Sequence, residues 1–192
     1  DLLLYAFLCV ILVTMKLPYV LLVGLLLFIP RKKTECKNYY LVSLALIIAV
    51  FVFTIFWYVL TQQVRIENFK LEGADVKGQI SSIISKPHWY LPVILKEMLL
   101  SVSHLNQLYT FGWLDLSMSE VLIPIYALYS LITFSNFGKV KLPKVSVVGA
   151  SLVSFAIVGL ISLTLYLTWT PVGNFEVLGV QGRYYLGVVA LS

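Results

Sequence analysis

Residues 39 to 60, YYLVSLALIIAVFVFTIFWYVL, run for 22 positions without a charge. A helix needs about 20 apolar residues to cross a hydrocarbon core roughly 30 Å thick, and inside that core a backbone must satisfy its own N–H and C=O groups. Tyr39 and Tyr40 mark one end of the run and Trp57 and Tyr58 the other, where aromatic belts form at membrane surfaces. The run is typical of its chain, which is 60% hydrophobic and 12% charged. Soluble domains average roughly 45–50% and about 25%. The expected fold class is therefore all-α, a polytopic transmembrane helical bundle, forming a single membrane domain over residues 1–192.

Hydropathy places the helices at about 2–15, 17–29, 39–60, 119–135, 145–169 and 184–192. The third-from-last contains Pro124, which a membrane helix accepts when neighbours satisfy the freed carbonyl. Orientation follows from the basic residues. The stretch 31–37 carries Arg31, Lys32, Lys33 and Lys37, and 136–144 carries Lys139, Lys141 and Lys144 with no acid, so both belong on the cytoplasmic side. The loop 170–182 has no Lys or Arg, and 61–118 mixes five basic residues with five acids, so these two belong outside.

That assignment excludes a crossing at 88–110, because one would carry Lys139, Lys141 and Lys144 to the outer side. Lys96, Glu97, Ser101, His104 and Gln107 recur at spacings near the helical period of about 3.6. The segment 88–110 is expected to be an amphipathic interfacial helix on the outer face, with Pro87 as its start signal. Residues 2–29 form two apolar stretches joined at Lys16. Either one kinked, tilted helix or a hairpin of short helices fits, and both put Lys16 toward the outside.

The net charge of +5 is split among short loops and makes no long stripe, so nucleic acid is not an expected partner; the lipid bilayer is. Cys9, in an apolar span, and Cys36, in a basic loop, show neither disulfide nor zinc spacing. No cofactor motif is present: no P-loop, dinucleotide fingerprint, nucleophile elbow or metal cluster, and a divalent metal finds no support in the sequence. The small residues of GASLVSFAIVGLIS at 149–162, Ala150 and Ser154 among them, suggest a helix-packing face. The start at Asp1 without an initiator methionine, and the stop within an apolar run, give the expectation of a longer parent protein.

Candidate binding residues collect on the expected outer side. In GVQGRYYLG at 179–187, Arg183 offers a planar, permanently charged fork that matches phosphate, and Gly182 allows close backbone approach. A following helix start would add free N–H donors. With Gln181 and Tyr184 this would suit the phosphate or sugar of a lipid carrier; an interfacial arginine between belt tyrosines is the plain alternative. Lys16 is either a second cation on that phosphate or a snorkelling lysine. Within FGWLD at 111–115, Trp113 and Asp115 are candidates for hydroxyl binding, with helix capping the plainer role for Asp115. His104 reads as a solvated interfacial histidine or, less simply, as a ligand. Catalytic residues are not identifiable.

Three stretches, FGWLD at 111–115, YLTWTPVG at 166–173 and GVQGRYY at 179–185, taken with their order, resemble the bacterial family of multi-pass membrane proteins known as domain of unknown function 2142. Lys16-Leu17-Pro18-Tyr19 and Ile29-Pro30-Arg31-Lys32 extend the resemblance over essentially the whole chain. One departure is visible: where the family usually shows QGRYF followed by Leu-Pro, this chain has Tyr185, Leu186 and Gly187. The resemblance implies a multi-pass protein of the bacterial inner membrane. Its layout is similar to C-type glycosyltransferases, which take sugars from polyprenyl-phosphate carriers and keep an essential acid in an early external loop. It thus implies a polyprenyl-phosphate-linked sugar as partner, a role in cell-envelope polysaccharide assembly, and a catalytic acid upstream of Asp1. A non-catalytic membrane scaffold or export partner in the same pathway is the alternative.

Overall fold

A computed structural model describes residues 1–30, 37–62, 64, 71–101, 104, 107, 110–111, 116–117, 124–125, 128, 132, 143–185 and 188. Among these the regular structure is helical apart from one ladder of two-residue strands. Helix α1 covers Leu2–Met15 and is followed by a 3-10 helix, Leu17–Phe28; then come α2 (Tyr39–Gln62), α3 (Val76–Ser85) and α4 (Pro87–Leu100). Strands β1 (Thr110–Phe111) and β2 (Leu116–Ser117) pair antiparallel, and α5 (Lys144–Thr168) leads through a pinned loop to a 3-10 turn at Gly182–Tyr185. Helices α2 and α5 are long and apolar enough to cross a membrane.

Residues 2–28 form a hairpin, the second of the two arrangements open to the sequence. Tyr5 Oη donates to the Leu22 carbonyl at 2.6 Å, which is possible only if the chain folds back at Lys16. Lys16 is extended (φ −152°, ψ 121°) and Pro18 supplies the fixed φ of the next helix's first turn. A 3-10 helix rises about 2.0 Å per residue, so the second arm reaches about 24 Å and matches the roughly 21 Å of α1. Cys9 faces the buried interior between the arms.

Three contacts fix the polarity of the bundle. Tyr39 Oη, at the start of α2, donates to the Leu26 carbonyl. Ser146 Oγ, near the start of α5, donates to the Phe28 carbonyl at 2.8 Å. Gly149 lies so close to Phe28 that any Cβ would run into its ring. Both long helices therefore start beside the end of the 3-10 helix and run away from it, so the bundle has a Lys144 end and a Lys16 end. The α5 face that packs inward is Gly149, Val153, Ile157 and Ile161, a row four residues apart, with Ala150 and Ser154 only half-buried at its edge. Within its most apolar stretch α5 is 33% buried and α2 11%, which makes α5 the central helix and α2 a peripheral one.

The segment expected as one interfacial helix at 88–110 is different in two respects. The helix stops at Leu100, and Thr110 already belongs to β1. Its axis also follows α5 antiparallel: Tyr90 is 6.3 Å from Tyr166 between ring centroids, and Met98 packs on Gly159, two turns nearer the Lys144 end. The physical reason is that the apolar face finds a groove at Gly159, where the missing side chain admits the flexible thioether of Met98. Ahead of it, α3 is started by Asp75, whose carboxylate accepts from the N–H groups of Lys77 (3.1 Å) and Gly78 (2.9 Å).

Of the expected span 119–135 only Pro124, Ile125, Leu128 and Ile132 are described; all are helical and exposed, and the rest lies outside the described residues. The expected helix 184–192 opens as the 3-10 turn, and beyond Tyr185 only Val188 is described.

Candidate functional site

The loop after α5 is held by side chains of the YLTWTPVG stretch. Tyr166 Oη donates to the Asn174 carbonyl at 2.8 Å, and Thr170 Oγ1 accepts from the Leu178 N–H at 3.0 Å. Gly179 has φ +78°, a left-handed conformation that glycine adopts without strain, and a Cβ there would also strike the Trp169 indole. The turn ahead of α3 and α3 itself also hold the loop, with the Val172 N–H on the Gly73 carbonyl at 3.0 Å and the Gly173 N–H on Gln79 Oε1 at 3.3 Å. The motif residues thus build a hydrogen-bonded strap that delivers residues 181–185 to a fixed place.

That place is the tip of the hairpin. Tyr19 Oη donates to the Tyr184 carbonyl at 3.0 Å, joining positions 165 residues apart. The Lys16 ammonium rests on the face of the Tyr184 ring, and the Arg183 guanidinium carbon lies 5.8 Å from the same ring centroid. Lys16 occupies the turn beyond the last residue of α1, outside both helices. Burial there, with repulsion from Arg183 second, lowers its ammonium from the usual lysine range to about 7.

Gln181 is 6% exposed, and its Oε1 accepts no hydrogen bond from any described residue. Its backbone carbonyl takes the Tyr184 N–H at 2.9 Å. The Gly182 N–H, just ahead of the expected helix start, is bound to Gln107 Oε1 at 3.2 Å. A short 3-10 turn leaves fewer open N–H groups than an α-helical start. The anion-holding capacity of this segment therefore rests on the two side-chain cations.

Of the residues singled out from sequence, Lys16, Gln181, Gly182, Arg183 and Tyr184 are brought together. Trp113 and Asp115 lie outside the described residues. Two participants carried a weaker signal. Tyr19 ties the hairpin to the turn, and only its place beside Lys16 and Pro18 marked it. Part of the polar stripe of α4 and its continuation faces the strap: Gln107 holds Gly182, and His104 Nε2 pairs with Glu97 Oε1 at 2.9 Å, both side chains largely covered, while Lys96 is exposed. The helical spacing disclosed that stripe; what it faces was not readable from spacing.

The family model described as predicted membrane protein (DUF2142) matches residues 1–192. No curated protein and no solved structure matches the chain.

Proposed function

The chain belongs to the DUF2142 family of predicted membrane proteins, and on that premise we propose that it is the lipid-phosphate-binding part of a polyprenyl-phosphate-sugar-dependent glycosyltransferase-like protein in cell-envelope polysaccharide assembly. The observation that carries the reading is the sharing of one tyrosine ring by Lys16 and Arg183 at the end of the bundle opposite Lys144. Two like charges that meet at one ring beside a partly buried turn repel one another, and a phosphate bound to both turns that repulsion into attraction. Arginine supplies the planar fork and lysine the compact point charge. Gln181 adds a buried acceptor that lacks a described donor, and a sugar hydroxyl beside the phosphate is a donor of the right kind.

In this reading the Lys144 end, with Lys37 and the other basic loop residues, faces the cytoplasm of a bacterial inner-membrane protein, and the Lys16 end faces outward. During transfer, negative charge grows on the departing polyprenyl phosphate, and Arg183 with Lys16 stabilises it. A base for the acceptor hydroxyl completes the reaction. Replacing Arg183 with Ala in the full-length protein is expected to cut surface-polysaccharide output at least tenfold while membrane expression stays unchanged. Unchanged output at normal expression refutes the reading in favour of a scaffold or export partner.

A further inference from the structure

A second concavity lies at the same end of the bundle, between α4 and the 170–181 strap. Its volume is about 270 Å³, and Lys96, Glu97, His104, Phe175 and Glu176 line it together with aliphatic side chains of α4 and the strap. We propose that this cavity binds a neutral, polyhydroxylated ligand of monosaccharide size. The site stands on its own geometry; only the role of its occupant, the acceptor sugar, rests on the function proposed above.

Size comes first. A volume of this order equals about nine waters at ~30 Å³ each, or one small molecule whose bonded atoms pack closer than liquid water. It lies just under the roughly 300–1,000 Å³ of pockets for drug-sized ligands. A sugar ring fits.

Lining chemistry narrows the class. Lys96 offers donors, Glu97 and Glu176 offer acceptors, and the imidazole of His104 offers either. The charges are of mixed sign, so the cavity favours neither a strong anion nor a cation. Hydroxyl groups both donate and accept, and they match such a mixture. Glu97 fixes the His104 ring through the 2.9 Å contact to Nε2, which orients the ring before any ligand enters.

An aromatic ring completes the site. Phe175 lines the cavity, backed by residues outside the lining: it stacks on Tyr90 with centroids 6.4 Å apart and planes 8° from parallel, and Trp89 lies 6.1 Å from it. Such a ring offers an apolar surface to the C–H face of a sugar, while the polar groups of the lining take its hydroxyls. Packing in a lipid environment would leave those charged groups costly, so the polar lining argues for a hydrated or ligand-filled space. The cavity also adjoins the cation pair, since Gln107 follows His104 by three residues and holds the Gly182 N–H.

Trp89 makes the proposal measurable. The full chain, purified in lipid nanodiscs, is titrated with D-glucose, D-galactose and N-acetyl-D-glucosamine, and the emission of Trp89 is isolated by subtracting a Trp89→Phe variant. The expected result is a saturable change with at least one of these sugars, with Kd raised about tenfold by Glu97→Gln and by Lys96→Gln. Lys96 is exposed, so its variant decides the matter if Glu97→Gln fails to fold, as judged by size-exclusion chromatography. No saturable response to any of the three overturns the proposal, as does a response unchanged in both variants or one abolished by inorganic phosphate. Arg183→Ala is expected to shift sugar affinity by less than twofold. If that variant keeps its grip on farnesyl phosphate, the lipid-phosphate reading fails while the sugar site stands; loss of the sugar response alone has the opposite meaning.

Discussion

The two ends of the bundle treat polar side chains in opposite ways. At the Lys144 end, Tyr39 and Ser146 spend their hydroxyl protons on the Leu26 and Phe28 carbonyls, and Phe28 is pressed against Gly149. Groups used in this way hold helices together. At the Lys16 end, charged and amide groups from the hairpin, from α4 and its continuation, and from the strap converge on each other, and Gln181 keeps an acceptor without a described partner. Buried polar groups with spare capacity cost stability, so a site that keeps them is one where binding, rather than packing, explains them. Substitutions should therefore separate by end: loss of folding at the first, loss of binding at the second.

The largest effect expected is at the packing end. Gly149→Leu puts a branched side chain where even a Cβ meets the Phe28 ring, and both the 3-10 helix and α5 must move apart. Forcing atoms into a packed interior costs about 3 kcal/mol at the upper end of the usual range. Denaturation in detergent should show that loss, while the remaining folded protein binds farnesyl phosphate as the unaltered chain does. A variant as stable as its parent would mean that this close approach does not hold the ends together.

Next comes a double-mutant cycle at the binding end. Lys16→Met and Arg183→Ala are each expected to weaken farnesyl phosphate binding about tenfold, or ~1.4 kcal/mol. Residues that grip one group do not act independently, so the double variant should depart from the product of the two by at least ~0.5 kcal/mol. Strict additivity would mean two cations serving different ligands, and the contrast between the ends would lose its basis. Folding should be little changed in either single variant.

The legible parts of this fold are those set by lipid rather than by neighbours. Lack of charge over residues 39–60 and 145–169 is a demand of the hydrocarbon core, and it gave α2 and α5 to within a few residues. The run 149–162 was legible as a packing face because small residues have few other uses there, although the contacts fall on Gly149 and Gly159 rather than on Ala150 and Ser154. The course of α4 was not legible. Spacing of Lys96, Glu97, His104 and Gln107 states that a polar face exists, but its partner is set by Met98 against Gly159 and Tyr90 beside Tyr166, contacts more than sixty residues apart in sequence. At the candidate site, Arg183 and Lys16 were visible as odd charges near apolar runs; their meeting on Tyr184 depends on the hairpin and the strap together.

A smaller effect separates the two cations. With its ammonium lowered to about 7 by burial and by Arg183, Lys16 is largely neutral by pH 9, whereas a phosphate bound beside it favours the protonated form. Binding thus takes up a proton, and affinity for farnesyl phosphate should fall several-fold as pH rises from 7 to about 9. Lys16→Arg should flatten that profile, because a guanidinium stays charged throughout. A wild-type profile already flat over this window would remove Lys16 from the phosphate site.

The smallest effect tests the exception. Ser43 lies one turn beyond Tyr39, near the Lys144 end, fully buried, and its Oγ has no described partner. If that end is built for packing, an unpaired hydroxyl there is only a cost, and Ser43→Ala should stabilise the protein by up to about 1 kcal/mol. Thermal unfolding of the two forms side by side is sensitive enough to detect the difference. A loss of similar size would instead show that the hydroxyl is hydrogen-bonded in the membrane, and the clean division between a packing end and a binding end would need a polar contact on both sides.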